Sequence, residues 1–225
     1  MDLVLKTVYF SIFMQLLTGI IQLEGIFMKL SANHSILTDI LRLETAVQFI
    51  EAMFYVWLVY NFRNISKMAS KRYYDWFITT PMMLLSTIMY MKYIEKREKD
   101  GDLDRNPLVL SKFINDNSNN IIKIFIANAL MLIIGFMGEV GKMDMIKSVI
   151  IGSVFFLITF YTIWDQYAKH TLEGKYLFTF LFVVWGLYAV VALMKPRPKN
   201  IGYNILDIIS KNFYGLYIYY VIKSI

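Results

Sequence analysis

Seven apolar segments, each long enough to cross a bilayer, nearly exhaust the 225 residues of this chain. They cover 3–28, 35–61, 72–94, 119–140, 144–166, 175–194 and 201–223, against the roughly 20 residues that a helical crossing needs. A segment alone in hydrocarbon must satisfy its own backbone hydrogen bonds, so each reads as an α-helix. The joints Ser31-Ala32-Asn33-His34, Gly141-Lys142, Glu173-Gly174 and Pro196-Arg197-Pro198-Lys199 are short and leave no room for a soluble domain. The expectation is an all-α, multi-pass membrane protein: one seven-transmembrane-helix bundle, a single domain over 1–225.

Composition narrows the function. The chain is 57% hydrophobic and 18% charged, too apolar for one soluble domain. It has no cysteine, which excludes disulfides, thiolate metal sites and cysteine nucleophiles. Neither an enzyme nor a metal site is expected. The net charge of +6 fits basic residues at lipid headgroups rather than a nucleic-acid partner. The start, Met1-Asp2-Leu3-Val4-Leu5-Lys6, lacks a basic region followed by a small-residue cleavage site and reads as the entrance to the first span. An N-terminus outside and a C-terminus in the cytoplasm put Lys92, Lys96, Arg97, Lys99, Arg105 and Lys112 inside. The other face keeps Arg63, Lys67, Lys195, Arg197 and Lys199, so the positive-inside rule favours this orientation modestly. The one long polar connection, Glu95 to Asn120 with Asp100-Gly101-Asp102 inside it, reads as a solvated loop or a helical extension.

Charges inside the spans carry the chemistry. Asp207 and Lys211 lie four residues apart on the seventh span and share a helix face. The pair alone fits a structural ion pair as well as a functional one. The third span adds Asp75 with Thr79 one turn on, and Arg72 three residues before it. A carboxylate or ammonium in hydrocarbon is costly without a partner. A cation at Lys211 and one at Arg72 would balance Asp75 and Asp207, a sum of zero. A lysine amine that condenses with an aldehyde gives an imine, whose protonated form needs such compensation.

These phrases, Arg72-Tyr73-Tyr74-Asp75-Trp76-Phe77-Ile78-Thr79-Thr80-Pro81 and Asp207-Ile208-Ile209-Ser210-Lys211, closely resemble the third and seventh helices of the microbial (type 1) rhodopsins. Trp185-Gly186-Leu187-Tyr188 on the sixth span, and Met131 with Gly135 on the fourth, extend the match over nearly the whole chain. The resemblance implies all-trans retinal attached to Lys211 as a protonated Schiff base, with Asp75 and Asp207 as counterions. It implies Trp76 and Trp185 on either side of the polyene, Thr80, Met83, Met131, Gly135 and Tyr188 around it, and Tyr55 bonded toward Asp207. Ala189 and Ala192 depart from the bulkier residues usual there, which predicts a looser pocket near the ring.

Other polar residues bear on what such a protein does. Thr7, Ser11, Gln15, Thr18 and Gln22 form one stripe along the first span, and Glu44, Gln48, Glu51 and Tyr55 a second along the next. Glu44 and Glu51 differ by only about 20° around the helix axis. Polar stripes face a bundle interior or an aqueous path; interhelical hydrogen bonding is the plainer alternative. Ser11, Glu51 and Asn212 resemble the central gate of channelrhodopsins, Glu44 their inner-gate glutamate, and Thr80 with Asn128 their gating pair. Leu58 and Phe62 stand where their acidic row continues outward, so a narrow outer vestibule is expected. Ser86 stands where outward proton pumps of the family carry an internal carboxylic acid.

The compact frame most resembles the first group of giant-virus rhodopsins, which implies a light-gated channel for monovalent cations such as Na+ and K+, in a host cell membrane. Loss of the ion pair at Lys211 on illumination would loosen the Ser11–Glu51–Asn212 constriction. A light-driven outward proton pump, with Asp75 as acceptor, and a sensor acting through a partner protein stay open, as does a homo-oligomeric state.

Overall fold

The computed structural model describes residues 2–60, 65–101 and 107–225; Met1, Phe62, Arg63, Asp102 and Arg105 lie outside them. The expected spans are helices: α1 (Leu3–Ile26), α2 (Ser35–Tyr60), α3 (Met68–Asp100), α5 (Ser118–Glu139), α6 (Met145–Gln166) and α7 (Leu172–Ala192). The seventh span is built from α8 (Pro196–Asp207), a π-helical turn (Ile208–Asn212) and α9 (Phe213–Lys223). No strand occurs among the described residues. A short α4 (Leu110–Asp116) fills part of the long polar connection, and α3 runs on to Asp100. The helical extension is thus part of that connection.

Local chemistry sets the helix ends. The Asp2 carboxylate accepts from the Val4 amide at 3.0 Å, the Asp144 carboxylate from the Lys147 amide at 3.0 Å, and the Thr171 hydroxyl from the Gly174 amide at 2.9 Å. Such caps satisfy amides that a first turn leaves without partners. Gly101, with φ of 70°, closes α3 by donating to the Arg97 carbonyl. Pro196 opens α8 at its first turn, where a missing N–H costs nothing.

The helices close a ring in which α1 packs on α2, α2 on α3, α3 on α5, α5 on α6, α6 on α7, α7 on α8, and the seventh span on α1. Much apolar surface faces outward while polar side chains are buried. On α1, Phe10, Phe13 and Ile20 are exposed while Ser11, Gln15, Thr18 and Gln22 are fully buried. A soluble helix bundle would show the reverse pattern; this one suits lipid as its surroundings. Four described helices or helix runs are long and apolar enough to cross a membrane by composition alone: Leu3–Ile26, Ser118–Glu139, Met145–His170 and Leu172–Ala192. The others, α2, α3 and the seventh span, carry the buried charges Glu44, Glu51, Arg72, Asp75, Asp207 and Lys211.

The two ends of the bundle are tied differently. At the N-terminal face, Lys199 of α8 meets Glu139 of α5 at 2.9 Å. At the C-terminal face, Glu173 of α7 accepts from both Tyr90 of α3 and Tyr217 of α9.

Candidate functional site

Lys211 lies in the π-helical turn, where the wider backbone buries three successive polar side chains. They point to three places. Ser210 meets the Tyr188 hydroxyl at 3.1 Å, Lys211 meets the carboxylates, and Asn212 donates to Thr18 Oγ1 at 2.8 Å and to Gln48 Oε1 at 3.1 Å. A π-turn interrupts the i→i−4 ladder and is frequent at functional sites. Gln48 of α2 spans the interruption, its Nε2 donating to the Lys211 carbonyl at 3.1 Å.

Three carboxylates surround Lys211 Nζ: Glu51 at 2.7 Å, Asp75 at 3.0 Å and Asp207 at 3.5 Å. Asp75 and Asp207 were expected there. Glu51, expected at a gate, is the nearest of the three, so the neutral sum does not hold. Three carboxylates against Lys211 and Arg72 leave one negative charge if all five groups are ionised. A set buried this deeply needs one more proton or cation.

The carboxylates differ in their surroundings. Asp207 accepts from Tyr55 at 2.7 Å, Tyr188 at 2.8 Å, Arg72 at 3.1 Å and Trp76 Nε1 at 3.3 Å. Asp75 receives Thr79 at 3.4 Å besides Lys211. Asp75 Oδ1 and Glu51 Oε2 have no partner among the described residues. Arg72 was expected to serve both aspartates. Its ion pair is with Asp207 alone among the described residues, and its other contacts are the Tyr55 hydroxyl at 2.9 Å, the Asn200 carbonyl at 3.4 Å and the Asn204 side chain. The guanidinium turns toward α8, where Asn200, Asn204 and Asp207 lie.

Beside Lys211 lies a cavity of about 330 Å³, within the roughly 300–1,000 Å³ usual for small-molecule sites. Trp76, Thr80, Met83, Met131, Gly135, Trp185 and Tyr188 all line it, as do Ala189 and Ala192. Its α6 wall, which includes Ser148, Gly152 and Phe156, was not foreseen; small and apolar residues there carry no distinguishing chemistry. Gly135 also makes room for a neighbour, because a Cβ there would stand 2.6 Å from the Tyr73 hydroxyl. Walled by apolar and aromatic groups, with an amine beside anions at its edge, this cavity fits a long apolar aldehyde.

Polar residues of α1, α2 and the seventh span lie together. Asn128 donates to Thr80 Oγ1 at 2.8 Å, bringing the expected pair into contact. Glu44 accepts from Ser86, a pairing that sequence reasoning did not foresee. Ser11, Glu51 and Asn212 face the same interior, yet they do not bond to one another among the described residues. Ser11 donates to the Asn204 carbonyl at 3.3 Å, Glu51 turns to Lys211, and Asn212 turns to Thr18 and Gln48. Gln15 is buried without a partner among them. Toward the N-terminal face, Val4, Val8, Tyr55, Leu58 and Met68 form an apolar cluster over these groups.

Known proteins share this architecture. The crystal structure of viral rhodopsin OLPVRII matches with a TM-score of 0.85 and 27% identity, covering 99% of each chain. A blue light-absorbing proteorhodopsin structure matches with a TM-score of 0.74 and 19% identity, covering 99% of this chain and 98% of that one. The green-light absorbing proteorhodopsin of Gamma-proteobacterium EBAC31A08 is 22% identical over 166 residues, 66% of this chain and 59% of that protein. The chain thus spans about three-fifths of the length of the curated relatives it matches. The model of the bacteriorhodopsin-like protein family matches residues 6–225, and rhodopsins of this family bind retinal as chromophore. With a lysine among carboxylates beside an aromatic-walled cavity, inside a bundle of apolar helices, the chain belongs to the bacteriorhodopsin-like family: it is a microbial type 1 rhodopsin, an integral membrane protein similar to viral rhodopsins.

Proposed function

We propose that this rhodopsin is a light-gated channel for monovalent cations, with its N-terminus outside and its C-terminus in the cytoplasm, and with all-trans retinal joined to Lys211 as a protonated Schiff base. The observation that carries this reading is the position of Glu51. It meets Lys211 Nζ at 2.7 Å, on the helix whose Gln48 shares the Asn212 carboxamide with Thr18 of the buried polar stripe of α1. One residue therefore belongs both to the charge site and to the polar interior.

Retinal supplies a light-driven change of shape beside Lys211, and the chain's own residues turn that change into ion passage. Trp76, Trp185 and Tyr188, which line the cavity, would confine the polyene, and Lys211 would anchor it. Joined as a protonated imine, Nζ would keep one N–H where an ammonium has three, so the three carboxylates would compete for it. Asp207 keeps Arg72 and its hydrogen-bond donors whether or not Nζ stays close. Asp75 Oδ1 and Glu51 Oε2 are the atoms free to take a proton. Once Glu51 is released from Lys211, it can turn toward Ser11 and Gln15 and offer oxygen ligands with a negative bias, as cation passage requires. Leu58 and its apolar neighbours are the barrier that must part.

Voltage clamp of cells carrying the protein with retinal tests this reading. The expected current reverses sign as voltage crosses the monovalent-cation equilibrium potential, and the reversal shifts when external Na+ is replaced. A second reading, an outward proton pump, draws on the contact between Ser86 and Glu44. There α2 brings a carboxyl to the place where α3 has a hydroxyl. A pump gives outward current at every voltage tested. A sensor acting through a partner gives a photocycle without current.

A further inference from the structure

The polar stripe of α1 contains two kinds of residue. Thr7 accepts from Asn204 Nδ2 at 2.7 Å, Ser11 donates to the Asn204 carbonyl at 3.3 Å, and Thr18 accepts from Asn212 at 2.8 Å. These three join α1 to the seventh span, as helix-joining polar residues do. Gln15 and Gln22 do not. Both are 0% exposed, and neither the oxygen nor the nitrogen of either carboxamide has a partner among the described residues. An unsatisfied buried polar group costs about 1–3 kcal/mol, so a glutamine serving only as packing would be replaced by an apolar residue without loss.

Gln22 also has a place made for it. A Cβ on Gly215 of α9 would collide with Gln22 Nε2 and stand 3.4 Å from Gln48 Nε2. The absence of a side chain at 215 thus leaves the room in which the Gln22 carboxamide sits, between α1 and α9 and beside α2. Gln15 lies two turns away on the same face, about 10 Å along the axis.

We propose that Gln22, seated against Gly215 beside Gln48, is the inner narrowing of the cation path and a direct ligand of the passing ion, with Gln15 a second ligand two turns outward. The inference rests on the channel reading above. The chemistry is that of neutral amide oxygens, which replace water around Na+ or K+ without fixing the ion in place. A carboxylate at the same point would hold a divalent cation more strongly.

The test is photocurrent from the full chain with retinal, with the visible absorption band confirming that each variant folds. Gln22→Leu removes the ligand and is expected to lower the current about tenfold, the factor a barrier higher by about 1.4 kcal/mol gives. Gln22→Glu keeps the shape and is expected to restore current and add block by external or internal Ca2+. Gly215→Ala is expected to change the relative permeability of large and small monovalent cations. If the wild type gives a reversing current that keeps its amplitude, selectivity and Ca2+ response in coloured Gln22→Leu and Gln22→Glu variants, this inference fails alone. If the wild type gives no reversing current, the channel reading fails and the ligand role of Gln22 goes with it.

Discussion

Two regions on either side of Lys211 are built on opposite terms. Around Asp207, the groups Tyr55, Tyr188, Trp76 and Arg72 all converge on one carboxylate, and Asn204 steadies the guanidinium. Along α1 and α2, Gln15, Gln22 and one oxygen each of Glu44 and Glu51 have no partner among the described residues. A charge that must stay put is surrounded by donors. Groups that must exchange partners are left with bonding capacity, and the low dielectric of the interior makes both conditions matter. Lys211 sits at the boundary, with Asp207 on the saturated side and Glu51 on the other.

The largest effect is expected at that boundary. Lys211→Ala removes the attachment point, so no visible absorption band should form when all-trans retinal is added. A band like that of the wild type would mean that the cavity is not the chromophore site. Next comes the saturated region. Arg72→Met leaves Asp207 with the more distant Lys211, at 3.5 Å, in place of the Arg72 contact at 3.1 Å, and breaking a buried pair in this way costs about 3–5 kcal/mol. Thermal bleaching should therefore occur at markedly lower temperature; an unchanged midpoint would show that the donors alone hold Asp207.

Glu51→Gln sharpens the contrast. It removes one negative charge near Nζ and brings the five-group sum from −1 to zero. Absorption should shift to longer wavelength, because less negative charge holds the cation at Nζ, and the colour should depend less on pH than in the wild type. A spectrum and pH dependence equal to the wild type would place Glu51 outside the charge site. The smallest effect is expected at Gly135→Ala. The added methyl meets the Tyr73 hydroxyl at 2.6 Å, and overpacking of this kind costs about 1–3 kcal/mol. Bleaching should be moderately faster, with photocurrent direction unchanged.

Much of this was legible in one dimension. Crossing length is a property of a run of residues, so the helical spans could be read directly from hydropathy. Helix spacing placed Asp207 with Lys211 and Asp75 with Thr79, and family resemblance placed Tyr55 against Asp207. What escaped depends on how helices rotate and cross. Resemblance to the channelrhodopsin gate singles out Glu51, but its closeness to Lys211 comes from the facing of α2 toward the π-turn and has no signal in the sequence. The pairing of Ser86 with Glu44 is an interhelical contact of the same kind. The π-turn itself left no spacing signal, since Ile208-Ile209-Ser210-Lys211-Asn212 suits an α-helix equally well. The start of α3 at Met68, before the expected 72, reflects polar first-turn residues that hydropathy does not count as span.

The most direct measurement is the photocurrent of wild type and Glu51→Gln across a range of voltages, at two external Na+ concentrations and constant pH. A light-gated cation channel gives a wild-type current whose reversal voltage tracks Na+, and a Glu51→Gln current with altered amplitude and selectivity. An outward current that never reverses and ignores Na+ would contradict it, and the polar stripes would then serve proton transfer and helix packing only.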